Sequence, residues 1–418
     1  MDQKHIKRGQ HLYIAEATLE YLISILMAGS YLATLTKELG FSDSLTGILS
    51  SVVSLGCLFQ LLSIFLRRRT VKTFVVTMSV INQLLFLLLY AVPLFPLTGK
   101  AKTIIFIVFI FTAYLLYYFA HPKKMNWFMS LVDDSYRGRF TANKEIVSLI
   151  AGMLFSYGMG ALIDHYTALG QTRTAFLLSA LVIFVLMVLH TASMIFTPEI
   201  PLQETSKKNL GDSIRQVAQN KNIRRISLIF ILYYIAKDVS VPFYGVYQIS
   251  ELGLGLGLVS LLTMVGSVTR ILVSRRWGRY ADKTSFLCML EKCLAVLILS
   301  HVCMVFAVPA NGIVMVVLYN IFHGIAWGGI NSAMTNLVFD HVDADKRADS
   351  LAICQATSGV AGFLATLAIS PLVSHIQNNG NRFLVLPLYA QQVISVLSVL
   401  LLLVTLVVIR KMPPSKKA

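Results

Sequence analysis

The stretch YRGRFTANKEIVSLIAGML, residues 136–154, has a counterpart in KRADSLAICQATSGVAGFL, residues 346–364. Both stretches pass from a basic turn into an apolar run. Three pairs coincide at an offset of 210 positions: Arg137 with Arg347, Ser148 with Ser358, and Gly152 with Gly362. A second pair of similar segments, KELGFS at 37–42 and SELGLG at 250–255, precedes each of these stretches at a comparable distance. The chain is therefore predicted to consist of two copies of one helical unit.

The composition predicts that this unit lies in a membrane. Of the 418 residues, 56% are hydrophobic and only 13% are charged, against about 25% charged residues in a soluble domain. None of the five cysteines forms a CxxC pair, so neither a metal site nor a disulfide framework is indicated. No GxxxxGK[ST] motif or catalytic cluster is recognisable, which argues against an ATP-driven pump and against an enzyme.

Apolar runs of about 20 residues predict the membrane-spanning helices. Twelve such runs lie at roughly 12–36, 44–66, 71–94, 102–131, 142–163, 174–196, 225–249, 254–274, 285–308, 312–339, 350–374 and 384–409. We refer to them as spans 1 to 12. The longest polar segment separates span 6 from span 7, which predicts an N-terminal half (1–197), a cytoplasmic linker (198–223) and a C-terminal half (224–418).

The loops predict the orientation of the chain, because cytoplasmic loops of membrane proteins are rich in Lys and Arg. With the N-terminus inside, the inner segments hold 26 of these residues and the outer loops hold five. Both termini are therefore predicted to be cytoplasmic. This distribution also accounts for the net charge of +16 without a nucleic-acid partner. No Asn begins an N-x-Ser/Thr sequon, which favours a bacterial cytoplasmic membrane.

The turn after span 8 carries a recognisable pattern. It reads RRWGRYADK (275–283) and fits G-x-x-x-D-[R/K] with Gly278, Asp282 and Lys283. Together with the twelve spans in two halves, this loop resembles the major facilitator superfamily of secondary transporters. The matching loop of the first half, LRRRTVKTF (66–74), departs from the pattern, since it has neither the Gly nor the Asp.

The resemblance implies an all-α polytopic fold of twelve transmembrane helices, arranged as two six-helix bundles. It also implies that spans 1, 4, 7 and 10 line a central pathway. Each of these spans carries a polar stripe at helical spacing. The candidate pathway residues are Glu16, Glu20 and Tyr31 in span 1; His121, Lys123, Lys124 and Asn126 in span 4; Tyr233, Tyr234, Lys237, Asp238 and Tyr244 in span 7; and Asn320, His323, Trp327 and Asn331 in span 10. The candidate cytoplasmic gating residues are Gly278, Asp282, Lys283, Arg137 and Arg139.

An isolated charge at the middle of a bilayer is costly, so these charges are expected to be paired or to face water. Depth along the helices predicts that Glu20 pairs with Lys124 or Lys123. Neighbours on a helix diverge by about 100°, so Lys237 and Asp238 are predicted not to pair with each other. Either they face two partners, or one faces the central pathway and the other a neighbouring helix. The alternatives are structural: interhelical networks, interfacial anchoring of the glutamates, and lysines that reach the cytoplasmic surface.

These residues predict a secondary active transporter that moves a small solute by alternating access, acting as a monomer without a cofactor and in contact with membrane lipids. Proton coupling through Glu20 and Asp238 is one option. Two substrate classes remain open: a polar, zwitterionic or sugar-like solute that stacks on Tyr or Trp327, and an organic cation or drug exported by proton antiport. A lipid translocator and a transporter-like sensor are further alternatives.

Overall fold

The computed structural model describes residues 3–62, 71–133, 137–199, 219–341, 347–384 and 386–412. Eleven helices in these ranges are long and apolar enough to cross a membrane, and a bent helix pair supplies a twelfth span. In the first half, span 1 consists of Gln3–Leu26 and Gly29–Glu38, span 2 of Asp43–Ser51, Val52–Leu55 and Gly56–Leu62, span 3 of Val71–Ala91 and Val92–Leu94, and spans 4 to 6 of Gly99–Met129, Arg137–Ala168 and Thr172–Phe196. In the second half, span 7 consists of Lys221–Asp238, Val241–Val246 and Tyr247–Glu251, and spans 8 to 12 of Leu256–Lys283, Phe286–Val305, Gly312–His341, Arg347–Asn378 and Ala390–Arg410. The prediction of an all-α twelve-helix membrane protein is confirmed.

The only strands among the described residues form a short hairpin between spans 11 and 12. Arg382–Phe383 pairs antiparallel with Leu386–Pro387, and Arg382 lies opposite Pro387. These two-residue strands connect the spans, and Phe383 packs against a buried cluster that spans 7, 11 and 12 form.

Two spans are interrupted. Span 1 bends by 45° between its two helices, where Gly29 adopts a positive φ of 54°. Span 7 breaks after Asp238 and restarts at Val241 with Pro242 in its first turn. A proline cannot donate an intrahelical hydrogen bond but fits the first turn of a helix. The break therefore lies directly beside Lys237 and Asp238.

The internal repeat is visible in the structure as well as in the sequence. Arg137–Ala168 and Arg347–Asn378 both have 32 residues and begin 210 positions apart. The turns KELGFS and SELGLG each hold a glycine in the left-handed region, Gly40 at φ 72° and Gly253 at φ 65°. A residue other than glycine adopts this conformation only with strain. The two segments thus end their preceding spans in the same way.

Contacts between Cα atoms divide the chain into two compact units. The first unit comprises Met1–Phe41, Phe59–Ser206 and Gly255–Ser260. The second unit comprises Ser42–Leu58, Lys207–Leu254 and Leu261–Ala418. The start of span 2 thus packs with helices of the second half, and the start of span 8 packs with helices of the first half. The sequence-based domain boundaries themselves stay a prediction.

Each unit has its own apolar core. In the first unit, Trp127 and Phe128 of span 4 lie fully buried with Tyr13 of span 1, and the Trp127 indole donates to the Pro198 carbonyl oxygen over 2.9 Å. In the second unit, spans 7, 9, 10, 11 and 12 bury a larger cluster that includes Phe230 and Leu294. These cores hold spans 1, 4, 7 and 10, which carry the candidate site residues.

Candidate functional site

A buried ionic cluster lies in the first unit, where spans 1, 4 and 6 meet. Lys124 Nζ is 3.0 Å from Glu16 Oε1 and also forms an ion pair with Glu20 Oε1. Glu16 and Lys124 are 1% and 4% exposed, whereas the Glu20 side chain is 18% exposed. One ammonium group is therefore shared by two carboxylates. Of the two lysines predicted as partners of Glu20, the structure selects Lys124.

His190 of span 6 completes this cluster, which we call the N-cluster (Glu16, Glu20, Lys124 and His190). His190 is fully buried, and its Nε2 lies 3.1 Å from Glu16 Oε1. On the other side of the ring, Gln83 Nε2 lies 2.9 Å from Nδ1. If the amide donates to Nδ1, then Nε2 carries the hydrogen and donates to Glu16, and the imidazole is neutral.

The N-cluster also presents oxygen and nitrogen atoms that could hold a metal ion. Each of Glu16, Glu20 and His190 offers one ligand atom, and these three atoms lie within 4.8 Å of one another. However, the Lys124 ammonium already contacts both carboxylates. The lysine thus supplies the positive charge that a bound cation would bring.

The remaining candidates of spans 1 and 4 lie around the N-cluster rather than in it. His121 is half-buried, and its ring centroid is 5.7 Å from that of Tyr117. Lys123 Nζ lies 5.4 Å from the centre of the Phe74 ring. Asn126 is exposed.

Tyr31 belongs to a different network and lies in the first turn of span 1 after the bend. Its hydroxyl donates to the Ser156 carbonyl oxygen of span 5 and lies 3.1 Å from Ser260 Oγ of span 8. Ser156 Oγ donates to the same Ser260 hydroxyl over 3.0 Å. Hydrogen bonds of the Tyr31 hydroxyl therefore connect span 1 with span 5 and with the start of span 8.

In the second unit, Lys237 and Asp238 form an ion pair, contrary to the prediction from their 100° separation. Lys237 Nζ is 3.0 Å from Asp238 Oδ1 and 4.7 Å from the centre of the Tyr234 ring. The prediction was wrong because it considered only the directions of the Cβ atoms. The four-carbon stem of lysine is long enough to bring its ammonium back to the neighbouring carboxylate, and the helix ends at Asp238.

The Asp238 carboxylate has a second partner from span 2. Ser54 Oγ donates to Asp238 Oδ2 over 2.6 Å, and Asp238 is 2% exposed. Thr366 of span 11 donates to the main-chain oxygen of Asp238 over 2.7 Å. Asp238 is thus held by spans 2, 7 and 11.

Aromatic side chains form a row along span 10, which we call the aromatic row (Tyr319, His323 and Trp327). The centroids of Tyr319 and His323 are 5.3 Å apart, those of His323 and Trp327 are 5.8 Å apart, and both pairs are stacked. The spacing of four residues places the rings one above another on one helix face. Such a row offers ring faces on which a flat group can stack.

Other candidates of spans 7 and 10 take part in packing. Tyr233 is buried in the core of the second unit, and the Tyr244 hydroxyl lies 2.9 Å from Ser395 Oγ. Asn320 is buried and donates to its own helix at the Val316 oxygen. Asn331 is exposed.

The predicted gating loop is helical. Gly278, Asp282 and Lys283 lie in the last turns of span 8 and are exposed, and Ser285 already caps span 9. The loop prediction was wrong because RRWGRYADK contains no residue that stops a helix before Thr284. Arg137 and Arg139 lie in the first turn of span 5, and the structure describes their backbone but not their side chains. A gating role for these five positions stays a prediction.

In the first half, which lacks the Gly and Asp of the loop pattern, Glu199 and Lys72 join the start of span 3 to the end of span 6. Glu199 Oε1 accepts from the backbone N–H groups of Val71 and Lys72 at the start of span 3, over 2.9 and 3.1 Å. Lys72 Nζ donates to the carbonyl oxygens of Ile195 and Thr197 at the end of span 6. A carboxylate at a helix N-terminus and an ammonium at a helix C-terminus both oppose the helix dipole favourably.

Several members of these networks were not among the candidates taken from the sequence, and one of them, His190, lies in the apolar run of span 6. His190 does stand out in the sequence as the one histidine within that apolar run. Gln83 and Ser54 gave no signal, since single polar residues are common in membrane helices. Lys144, whose Nζ lies 3.3 Å from the Tyr13 hydroxyl, was not among the candidate site residues.

The sequence model of the Major Facilitator Superfamily matches residues 15–366. The match covers more than half of the chain, and the protein belongs to this superfamily of transporters. No curated protein matches the sequence.

Solved structures of transporters share the fold. A structure of the nucleoside transporter NupG superposes with a TM-score of 0.71 at 13% identity, covering 99% of this chain and 100% of that one. A D-xylose-proton symporter gives 0.68 at 12% identity, with 99% of both chains covered. An auto-inhibited peptide transporter of the POT family gives 0.67 at 11% identity, covering 99% of this chain and 98% of that one. At these identities the likeness establishes the fold alone, and the protein is an integral membrane transporter.

Proposed function

We propose that the protein is a proton-coupled secondary transporter that moves a small polar solute of no net charge by alternating access. In this proposal, the N-cluster takes up and releases the coupling proton, and the aromatic row contacts the solute. The observation that carries the proposal is the single Lys124 ammonium shared by the Glu16 and Glu20 carboxylates.

The charge of the N-cluster supports proton binding. With a neutral His190, two carboxylates and one ammonium leave one net negative charge among largely buried side chains. A buried net charge is unfavourable, and one added proton cancels it. Glu20 is the most exposed member, so it is the group through which a proton enters.

His190 provides a second place for that proton. The oxygen of the Gln83 amide is buried and has no hydrogen-bond partner among the described residues. Rotation of this amide by 180° would let its oxygen accept from Nδ1–H of His190, so that both ring nitrogens donate. The proton would then lie on an imidazolium beside the Glu16 carboxylate.

The same geometry argues against export of organic cations. A cationic solute would need a carboxylate in span 1 as its partner. The two carboxylates of the N-cluster, Glu16 and Glu20, both contact Lys124, which is part of the chain and cannot leave to make room for a cationic solute. The stacked rings of the aromatic row instead favour a solute with a flat base or a sugar ring. The named substrates of two structural neighbours, a nucleoside and D-xylose, are of this kind.

The coupling is tested with the protein reconstituted in liposomes. Glu20→Gln brings the N-cluster to zero net charge, so we expect solute exchange at equal pH to persist while uptake driven by a pH difference is lost. Glu38→Gln changes an exposed glutamate at the end of the same span and serves as the matched control. If Glu20→Gln retains pH-driven uptake, the N-cluster is not the coupling site.

The solute is tested by a screen of thermal unfolding of the purified protein with nucleosides, sugars, amino acids and organic cations. A ligand that binds the folded state raises its stability by RT ln(1 + [L]/Kd). We expect stabilisation by nucleosides or sugars that disappears in Trp327→Ala. Tyr157→Ala, which removes an exposed ring of span 5, should leave the shift unchanged. Stabilisation by organic cations alone would favour drug export instead, and stabilisation by lipids alone would favour lipid translocation.

A further inference from the structure

We propose that Asp238 is a second proton-binding site, and that its protonation releases the start of span 2 (42–58) from spans 7 and 11. This inference deepens the proposed transport function and rests on it for its role in the cycle. The contacts that carry it all lie within the second unit.

The Asp238 carboxylate is the charged link between the 3₁₀ turn of span 2 and span 7, whereas Asp43 and Ser44 at the start of span 2 bond to Gln377 and Ser370 of span 11. One oxygen accepts from Ser54 Oγ at 2.6 Å, and the other lies 3.0 Å from Lys237 Nζ. Hydrogen bonds to a charged acceptor are about twice as strong as those between neutral groups. The link is therefore strong only while the carboxylate is ionised.

Two glycines of span 11 make the close approach of span 2 and Asp238 feasible. A Cβ atom at Gly359 would overlap the Ser54 carbonyl oxygen. A Cβ atom at Gly362 would overlap the Asp238 carboxylate and lie 3.3 Å from the Tyr234 carbonyl oxygen. The backbones of spans 2, 7 and 11 thus meet at one point, and Asp238 lies at that point.

The helix of span 2 is irregular beside Asp238. Its helix changes to a 3₁₀ turn at Val52–Leu55, which includes Ser54, and returns to an α-helix at Gly56. A 3₁₀ stretch inside a helix has poorer hydrogen-bond geometry and often marks a hinge. Loss of the Ser54 contact would therefore act on the part of span 2 that bends most easily.

Among the residues that the structure describes, the titratable groups closest to Asp238 lie on its own span. On its own span, these are Lys237 and Tyr233, which both interact with it electrostatically. Span 2 contributes the Ser54 hydroxyl, and span 11 contributes Gly362 and the Thr366 hydroxyl, none of which titrates in the physiological range. From further away, His323 of span 10 interacts with Lys237.

The proposed step is a simple proton transfer. Asp238 gains a proton from water and becomes a neutral acid, and the ion pair with Lys237 is lost. The bond from Ser54 weakens because its acceptor is no longer charged, and the start of span 2 separates from spans 7 and 11. Release of the proton restores the contact.

The first test measures whether span 2 lies on span 11. The hydroxyls of Ser44 in span 2 and Ser370 in span 11 are hydrogen-bonded, so Ser44→Cys and Ser370→Cys in one chain should form a disulfide under mild oxidation. The linked peptides are quantified by mass spectrometry at pH 8, and each single-cysteine variant controls for the native cysteines. We expect Asp238→Asn, which mimics the protonated acid, to slow cross-linking about tenfold.

Ser54→Ala should slow the cross-link to a similar extent, which guards against a folding defect specific to Asp238→Asn. Ser50→Ala changes a half-buried serine of the same helix and should leave the rate unchanged. If the cross-link forms in Asp238→Asn as fast as in the parent, the proposal is overturned.

The second test asks whether protonation of Asp238 is what separates span 2 from spans 7 and 11. Hydrogen exchange of the 42–58 segment, corrected for the intrinsic pH dependence, should be faster at the lowest pH at which the protein stays folded than at pH 8 in the parent. In Asp238→Asn, exchange should be fast at both pH values. A variant that keeps the parental pH response would assign the proton to another group and overturn the proposal. Neither test uses a solute, so a failure of the proposed function leaves both results interpretable.

Discussion

Replacement of Lys124 by methionine tests the central charge of the N-cluster. Methionine retains most of the length and the apolar stem of lysine but lacks the ammonium. Lys124→Met leaves the Glu16 carboxylate, which is 1% exposed, with His190 as its only remaining partner in the cluster. It also leaves Glu20 without its ion pair. Two neighbouring carboxylates then face each other, and Lys144 of span 5, which interacts electrostatically with both, is the next cation.

The expected loss follows from this geometry. Removal of one partner from a buried ion pair costs about 3–5 kcal/mol, because the other charge stays buried without compensation. We expect Lys124→Met to fall in this range. The assay is reversible unfolding of the purified protein in mixed micelles with increasing SDS, which yields a difference in unfolding free energy.

The triple variant Lys124→Met, Glu16→Gln, Glu20→Gln is the decisive comparison. It contains no uncompensated carboxylate, so it should recover more than half of the lost stability, a strongly non-additive result. Lys123→Met changes the adjacent lysine, whose ammonium lies 5.4 Å from the Phe74 ring centre, and should cost about 1 kcal/mol or less. A Lys124→Met protein as stable as its parent, or a triple variant no more stable than Lys124→Met, would refute the ionic account of the cluster.

Three further predictions concern spans 5, 6 and 8. A Cβ atom at Gly160 would lie 2.8 Å from the backbone nitrogen of Gly257, so Gly160→Ala should cost about 1–3 kcal/mol in the same unfolding assay, whereas Gly158→Ala, with no atom within 4 Å, should not. Asp164 accepts from two backbone N–H groups at the start of span 8, and Asp164→Asn should cost about 1–2 kcal/mol in that assay. His190→Phe removes the hydrogen-bond donor to the buried carboxylate of span 1. It should slow pH-driven uptake in liposomes but preserve exchange at equal pH, and equal losses in both would contradict its role with the proton.

The repeat and the helices were predictable because they depend on local patterns. Apolar runs and polar breaks located the spans, and the 210-residue offset of Arg137 and Arg347 coincides with the starts of two helices of equal length. The bend of span 1 was not predicted. Its cause, Gly29 at a positive φ, is a property of the folded backbone that one glycine in an apolar run does not reveal.

The site was predictable in its ionisable groups and much less in its pairings. Intramembrane charges stand out against an apolar sequence, so Glu16, Glu20 and Lys124 were found. Depth along the helices left two partners for Glu20, Lys123 and Lys124, and only the structure identifies Lys124. His190 was missed because helix order alone does not reveal which face of span 6 meets span 1. The Lys237–Asp238 pair was missed because its geometry depends on a flexible side chain at a helix end.

The sequence does not reveal that the start of span 2 packs with the second half and the start of span 8 with the first half. The contacts of Ser54 with Asp238 and of Asp164 with Gly257 join segments more than 90 residues apart, and the residues involved are small and polar. Such contacts arise from tertiary packing rather than from hydrophobic periodicity. They became visible only when the helices were placed against one another.

The measurement that tests the central claim most directly is solute accumulation in liposomes as a function of the pH difference, at zero membrane potential. If the N-cluster carries one proton for each solute molecule, the ratio of inner to outer solute at equilibrium changes about tenfold for each pH unit, since one unit corresponds to about 1.4 kcal/mol per proton. The Glu20→Gln variant should give no dependence. A parent protein whose solute ratio stays at one whatever the pH difference would contradict proton coupling.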